Sequence, residues 1–451
     1  MSDTIAAVAT GAGVSAIGIV RVSGPLSVSL MDALFRPADG KTMSQHRDRQ
    51  LVYGKLLDEK GRTLDLCRCT LSRAPRSYTG EDTAELHCHG APAVLAAGLE
   101  ALYAAGAQPA QPGEFTRRAF LNGRMDLTQA EAVADLLEAE TAEQAANAAG
   151  QLSGAIRARI DPIYDTLTDI LAHFHAALDY PDEDIDPFSL EQYARTLERA
   201  WEDLTALLHT YGRGQVLRRG VAAVLLGRPN AGKSSLLNAL AGFDRVIVSD
   251  IPGTTRDTVE ERVKLGPVLL RLIDTAGIRQ GGDRLEQLGI DRAHEAAMQA
   301  DLALFVCDGS QPLTGEDEAA ISAAQRARQV IAIRNKADLP QAPFSLPFDT
   351  VLSLSAKTGQ GLEQLQAEVV RRFGSDTPCD GSILTSARQQ AAIDQAAASI
   401  AHAQAAMEQA MTPDAVLVDV EQALQALAEL TGRTMREDLI NRIFARFCVG
   451  K

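Results

Sequence analysis

The stretch Gly227-Arg-Pro-Asn-Ala-Gly232-Lys233-Ser234 fits the pattern G-x-x-x-x-G-K-[ST]. A loop of this type cradles phosphates. Its glycines let backbone N–H groups wrap the anion, and the positive end of the following helix adds to the attraction. Lys233 would reach the β- and γ-phosphates, and the Ser234 hydroxyl would ligate Mg²⁺. Asn230, Ala231, Gly232 and Ser235 complete the cradle. The base is read elsewhere, in Asn335-Lys336-Ala337-Asp338. The Asp338 carboxylate accepts two hydrogen bonds, which suits the N1–H and exocyclic amine of guanine. Adenine has no such pair of donors, and a buried carboxylate left unpaired would penalise it. Ser355-Ala356-Lys357 would back the same base through a backbone N–H. Asp274-Thr275-Ala276-Gly277 supplies Asp274 to hold Mg²⁺ through water and the Gly277 N–H to sense the γ-phosphate. Gly253-Thr254-Thr255-Arg256-Asp257 lies between, and Thr255 is the threonine expected to close on Mg²⁺. Four ordered elements of this kind imply GTP binding.

One position departs from the Ras-like pattern. The residue after Asp274-Thr-Ala-Gly277 is Ile278, where Ras-like GTPases place a water-orienting Gln. Hydrolysis then needs another group to position water and another positive charge on the transition state. Asp283 and Glu286 are the acidic candidates downstream. Arg228, Arg256, Arg279 or a bound monovalent metal could supply the charge.

Strands and helices must place these loops. Five apolar runs, Val221–Leu226, Val268–Ile273, Leu302–Val306, Val330–Ile333 and Val351–Leu354, alternate with helix-like segments. That alternation predicts a mainly parallel sheet covered on both faces. Before it, residues to about 118 read as mixed α/β. Short apolar runs at Thr4–Thr10 and Ile17–Val22 predict strands, Leu64–Leu71 alternates in part, and Ala93–Ala104 looks helical. After Asp126 the chain turns helical. Thr128 and Glu131 have capping-box spacing, Ala130, Val133, Leu136 and Leu137 recur on one face, and Ile156 to Phe174 continue that spacing. An acidic break spans 181–187, and Ala-rich helical character returns from about Ser386. Neither helical half looks complete, so the α/β unit is expected to be inserted into one helical domain. The expected domains are 1–118 (α+β), 119–215 (helical, first part), 216–376 (P-loop GTPase) and 377–451 (helical, second part).

The 451 residues suggest roughly three domains. With 44 Lys and Arg against 59 Asp and Glu, the net charge of -15 argues against a chain that coats nucleic acid by charge alone. No apolar run reaches the ~18–20 residues that cross a bilayer. The six scattered cysteines suit a reducing cytoplasm. Cys67-Arg-Cys69 and His87-Cys88-His89 imitate a metal cluster, but neither spacing matches a zinc framework, so they read as strand packing.

Over its full length the chain resembles the MnmE (TrmE) family of tRNA-modification GTPases. The resemblance rests on Gly227 to Ser235, Gly253 to Asp257 and Asp274 to Gly277. It rests also on Tyr78-Thr-Gly-Glu-Asp82, on Pro112 to Asn122 and on the terminal Phe447-Cys448-Val449-Gly450-Lys451. It implies a multidomain fold: an N-terminal α+β domain for tetrahydrofolate binding and dimerisation, a discontinuous helical domain, and an inserted Ras-like G domain. It implies a K⁺-stimulated cytoplasmic GTPase that acts as a homodimer with the FAD-carrying flavoprotein MnmG (GidA), in a heterotetramer. Together they would place an aminomethyl or carboxymethylaminomethyl group on C5 of the wobble uridine of certain tRNAs, with the carbon from a one-carbon tetrahydrofolate.

Ser249, Asp250, Ile251 and Pro252 join the GTP site by this resemblance. The K⁺ ligands fall on Asn230, the Thr254 side chain and carbonyls at Ser249 and Ile251. The water-orienting carboxylate falls on Glu286, so the implied catalytic set is Lys233, Asn230, Thr254 and Glu286. The folate ligands fall on Arg21, Glu85, Arg124 and Lys451, although position 124 is usually Lys in the family. Cys448 is a candidate for a chemical role, with packing as the alternative. The competing reading is an Era- or Der-type ribosome-assembly GTPase, which would carry an RNA-binding appendage or a second G domain.

Overall fold

The computed structural model describes residues 3–11, 13–179, 190–243, 261–273, 294–374, 379–409, 411–434, 443–445 and 447–450. They fall into two compact units. Residues 1–134, 157–197 and 398–451 form one, and residues 135–156 and 198–397 the other.

The first unit holds a seven-stranded sheet. Its strands are β1 (Ile5–Val8), β2 (Ser15–Ser23), β3 (Phe35–Pro37), β4 (Val52–Leu57), β5 (Thr63–Ser72), β6 (Thr83–Gly90) and β7 (Gln108–Pro109). Their order is β3-β4-β5-β6-β2-β1-β7. Neighbours are antiparallel except β1 and β7. Alternation decides which face is buried: Cys67, Cys69 and Leu71 on β5 point inward with Ala84, Leu86 and Cys88 on β6. Leu30, Met31 and Leu34 of the helix Ser27–Leu34, and Leu95 and Leu102 of the helix Pro92–Ala104, complete that core. The expected pairs of runs at the N-terminus are strands, although β1 is shorter than its apolar run and β2 longer.

The helix expected after Asp126 spans Leu127–Glu138. Its cap is not the one predicted. Asp126 accepts from the Gln129 N–H at 2.9 Å, and the Gln129 side chain accepts from the Asp126 N–H at 2.9 Å. Asp126 therefore caps the helix in place of Thr128, whose hydroxyl bonds Asp126 at 2.7 Å. A carboxylate one residue upstream of the first apolar position outcompetes the hydroxyl. Leu137, expected on the apolar face, is 51% exposed. In the helix Ala155–Asp179 the predicted stripe Ile160, Ile163, Leu167, Ile170 and Phe174 is buried.

The second unit holds a six-stranded sheet, with β8 (Val221–Leu226), β9 (Glu261–Leu265), β10 (Val268–Leu272), β11 (Leu302–Asp308), β12 (Gln329–Asn335) and β13 (Val351–Ser353) in the order β13-β12-β11-β8-β10-β9. All neighbours are parallel except β9 and β10. Val221, Ala223 and Leu225 of β8 enter one core, while Val224 and Leu226 enter another. Both faces of the strand are covered, which is why its sequence is apolar without interruption. β9 has no counterpart among the five predicted runs, because Glu261-Arg-Val-Lys-Leu265 buries only Val263 and Leu265.

The α/β segment begins and ends at one seam. The helix Tyr211–Arg219 leads in, and residues 380–385 lead out. The Leu384 N–H donates to the Thr210 hydroxyl at 3.0 Å, and the Gln215 amide donates to the Thr385 carbonyl at 3.2 Å. From the helix Ala142–Leu152, Gln144 donates to the Leu217 carbonyl at 2.7 Å. Asn147 and Gln151 donate to the Ile383 carbonyl at 3.3 and 2.6 Å. Adjacent points of departure and return are what an inserted domain requires.

Gly214 makes the seam close: a Cβ there would lie 1.8 Å from the Leu384 carbonyl oxygen. Gly214→Ala is expected to lower stability by about 1–3 kcal/mol through overpacking. Gly242→Ala, where a Cβ meets nothing within 4 Å, serves as the control. Urea denaturation followed by circular dichroism measures both, and equal stability of the two variants would refute the contact.

Candidate functional site

Two clusters of the predicted residues come together, one in each unit. In the second unit, β8 runs into the phosphate loop and the loop into the helix Lys233–Phe243. Backbone geometry explains the loop's composition. Gly227 has φ 147° and Gly232 φ 99°, values that L side chains rarely adopt. A Cβ on Gly227 would lie 2.0 Å from the Val306 carbonyl oxygen, and one on Gly232 2.0 Å from the Asn335 amide nitrogen. Asn230 also has positive φ, 62°, and its side chain is exposed at the loop's apex. The exposed Ser234 and Ser235 open the helix.

Lys233 donates back to the loop, to the Gly227 carbonyl at 2.5 Å and the Arg228 carbonyl at 2.9 Å. Burial pushes its ammonium below the ordinary lysine value, and Asp317 and Glu316 pull it back up. A bound phosphate would add the negative charge that such a desolvated cation favours.

Arg228, one of the candidates for transition-state charge, is committed elsewhere. It donates to Gln311 at 2.8 Å and lies 3.5 Å from the carboxylate of the 1% exposed Asp317. Asp317 in turn caps the helix Gly315–Ala324 by accepting from the Thr314 N–H and hydroxyl.

The base-reading loops are tied to the phosphate loop by Asn335, the last residue of β12. Its amide donates to the Ala231 carbonyl at 2.9 Å and accepts from the Ala356 N–H at 3.0 Å. Sequence reasoning placed Asn335 at the base but missed this bridge, for which the close approach of Gly232 is the only local signal. Lys336, at φ 62°, pairs with Asp308 at 2.6 Å. The buried Ser355 hydroxyl donates to Asp338 at 2.6 Å. That bond, first, and the residue's own backbone hold the Asp338 carboxyl below its ordinary value, so it is an ionised acceptor facing solvent. Lys357 is exposed beside it.

β10 lies parallel to β8 and delivers the chain to Asp274. Asp274, Thr275, Ala276, Gly277, Ile278, Arg279, Asp283 and Glu286 lie outside the described residues. So do Ser249, Asp250, Ile251, Pro252, Gly253, Thr254, Thr255 and Arg256, and so does Lys451.

In the first unit, Arg21 on β2 stands opposite Glu85 on β6 in the antiparallel register. Its guanidinium bonds the Glu85 carboxylate at 2.9 and 3.0 Å and reaches the Gly450 carbonyl at 3.4 Å. The rings of Tyr78 and Phe115 lie 5.4 and 5.8 Å from it. His87, two residues along the same face of β6, contacts the other Glu85 oxygen at 3.3 Å. Arg124 donates to the Ser77 carbonyl at 3.1 Å, beside Tyr78, whose hydroxyl meets that of Thr116 at 2.9 Å. Tyr78, Phe115 and His87 were not predicted. The period-two spacing of Glu85 and His87 was the available signal for His87. Cys448 is exposed rather than packed, and its carbonyl accepts from the Gly113 N–H at 3.2 Å. The arrangement offers a half-buried cation, a carboxylate and two rings to a planar polar ligand.

Two families match. Residues 4–124 fit the family described as GTP-binding protein TrmE N-terminus, and residues 127–448 the family described as MnmE helical domain. The chain is 42% identical over 464 residues to the tRNA modification GTPase MnmE of Roseiflexus sp. (strain RS-1), covering 100% of this chain and 99% of that one. It is 42% identical over 455 residues to that of Symbiobacterium thermophilum, with coverage of 100% and 99%. It is 39% identical over 461 residues to that of Alkaliphilus oremlandii, covering both chains completely.

Proposed function

The chain belongs to the MnmE family of tRNA modification GTPases, and from that membership we propose a K⁺-stimulated GTPase, activated by dimerisation, that works with the flavoprotein MnmG (GidA). With that partner, which would carry the FAD, it adds an aminomethyl or carboxymethylaminomethyl group to C5 of the wobble uridine of certain tRNAs. The carbon comes from a one-carbon tetrahydrofolate held in the N-terminal domain, residues 1–118. Residues 119–215 and 377–451 form the helical domain, and residues 216–376 the G domain. No helix among the described residues is long and apolar enough to cross a membrane.

The residue roles in this reading are those the family membership implies. Lys233 leaves the loop carbonyls for the β- and γ-phosphates, and the loop N–H groups bind the same anion. Asp338 accepts from guanine, with the Ser355 hydroxyl holding its carboxylate in place. The exposed Ser234 hydroxyl, with Thr255 and Asp274, would hold Mg²⁺. Asn230, whose backbone turns its amide outward, would hold K⁺ with Thr254 and the Ser249 and Ile251 carbonyls. These cations supply positive charge to the phosphoryl oxygens. Glu286 orients the attacking water in the role Ile278 cannot fill. Arg228, which bonds Asp317 and Gln311, would have to leave them to act on the transition state. Cys448, exposed two residues before Gly450, is the candidate for a chemical step.

The observation that carries this reading is the Arg21–Glu85 pair, whose guanidinium also donates to the Gly450 carbonyl at 3.4 Å. Arg21 offers a cation there, Glu85 a carboxylate, and Tyr78 and Phe115 two rings, which favours a folate site over the Era- or Der-type alternative. The test is calorimetric titration of the full chain with 5-formyltetrahydrofolate. Binding is expected, and Arg21→Ala is expected to weaken it about ten- to a hundredfold, the worth of one charged hydrogen bond. No binding by the unmodified chain would refute the folate site and favour the assembly-GTPase reading.

A further inference from the structure

The pairing of β5 with β6 brings together residues that are far apart in sequence. Arg68 faces His87 and Cys69 faces Leu86, a register that sets Cys67 against Cys88. Asp65 shares the Cys67 face of β5 and lies level with Gly90. One donor atom from each of Asp65, Cys67 and Cys88 lies within 4.8 Å of the other two. Cys67 and Cys88 are 4% and 2% exposed, and the Asp65 side chain is 9% exposed.

The carboxylate is already held in place. It accepts from the Leu66 N–H at 2.7 Å and the His89 N–H at 2.8 Å, and the exposed His89 ring meets it at 2.8 Å. Backing of a ligand carboxylate by such bonds is what tuned metal sites show. Cys69, on the same face and 0% exposed, packs with the apolar core and is not one of the three converging groups.

We propose that Asp65, Cys67 and Cys88 form a structural site for a thiophilic divalent cation, Zn²⁺ by its donor set, with water as the fourth ligand. Two sulfurs with a carboxylate oxygen and a water suit tetrahedral Zn²⁺. Hard cations such as Mg²⁺ and Ca²⁺ would take oxygens instead. The balance is simple: the cation binds two thiolates and a carboxylate, and the two thiol protons leave to solvent. The ion would pin β5 to β6 three residues from Glu85.

The test is Co²⁺ titration of the full chain after chelator treatment and phosphine reduction, followed by absorbance and then by displacement with Zn²⁺. One equivalent is expected to give a thiolate-to-cobalt charge-transfer band in the near-ultraviolet and tetrahedral d–d bands. Cys67→Ser and Cys88→Ser are expected to lose these bands, Asp65→Asn to bind more weakly, and Cys69→Ser to keep them. Zn²⁺ is expected to raise the melting temperature of the unmodified chain and of Cys69→Ser, and not that of Cys88→Ser. Metal-free melting of each variant reports whether it folds. No band in the unmodified chain, a band that survives Cys88→Ser, or a Cys67–Cys88 disulfide in place of metal would overturn the proposal.

Discussion

Asp338→Asn is expected to weaken GTP binding by about 10²- to 10⁴-fold and to let xanthosine triphosphate bind in its place. The carboxylate is ionised, exposed and oriented by the Ser355 hydroxyl at 2.6 Å. Guanine presents it with two donors, and each hydrogen bond to a charged group is worth about 1.5–3 kcal/mol. Two such bonds come to about 3–6 kcal/mol, which is the stated range at 1.4 kcal/mol per factor of ten. Asparagine keeps an oxygen for Ser355 but turns an N–H towards the base. That amide opposes the guanine amine and matches the carbonyl that xanthine carries at the same position. Fluorescence titration with both nucleotides measures the exchange. Unchanged GTP affinity with no gain for the xanthine nucleotide would remove Asp338 from the base site.

The second large effect concerns hydrolysis. Exchange of K⁺ for Na⁺ at equal ionic strength is expected to slow steady-state turnover at least tenfold, out of the roughly 10³–10⁵ that a transition-state cation supplies in related chemistry. Asn230→Ala is expected to abolish the difference between the two salts. Glu286→Ala is expected to lower kcat by about 10²- to 10⁴-fold in either salt, the span of general acid–base contributions, with GTP affinity little changed. The split between affinity and turnover separates a water-positioning group from a binding one. Equal rates in the two salts would sink the K⁺ assignment. Arg228, which bonds Asp317 and Gln311, and Arg256 would then be the first cations to test.

Much of the second unit could be read in advance, because strands buried on both faces, β8 and β11 above all, write themselves as unbroken apolar runs. Val221–Leu226 is β8 to the residue, and the other four runs agree with β10 to β13 within two residues at each end. Phosphate-loop residues were legible for a related reason. Glycine is demanded where φ is positive and where backbone from another strand approaches, and both demands leave a mark in one short segment. Contacts that cross the sheet left no such mark. Asn335 bridging Ala231 and Ala356, Arg228 locked by Asp317, and Tyr78 and Phe115 around Arg21 all depend on which strands are neighbours. Cys67 and Cys88 show the limit well. Their spacing along the chain argued against a metal framework, whereas register places them face to face. The misplaced helix cap at Thr128 failed differently: two overlapping capping patterns competed, and the carboxylate of Asp126 won.

The seam beside the α/β segment has an evolutionary consequence. Gln144, Asn147 and Gln151 donate to the carbonyls of Leu217 and Ile383, not to their side chains. The joint therefore recognises the path of the chain rather than its identity. Residues 217 and 383 are free to drift within their packing volume, while each of the three amides is tied to its post. A G domain with a different surface could be transplanted here, provided its two ends return to the same pair of carbonyls.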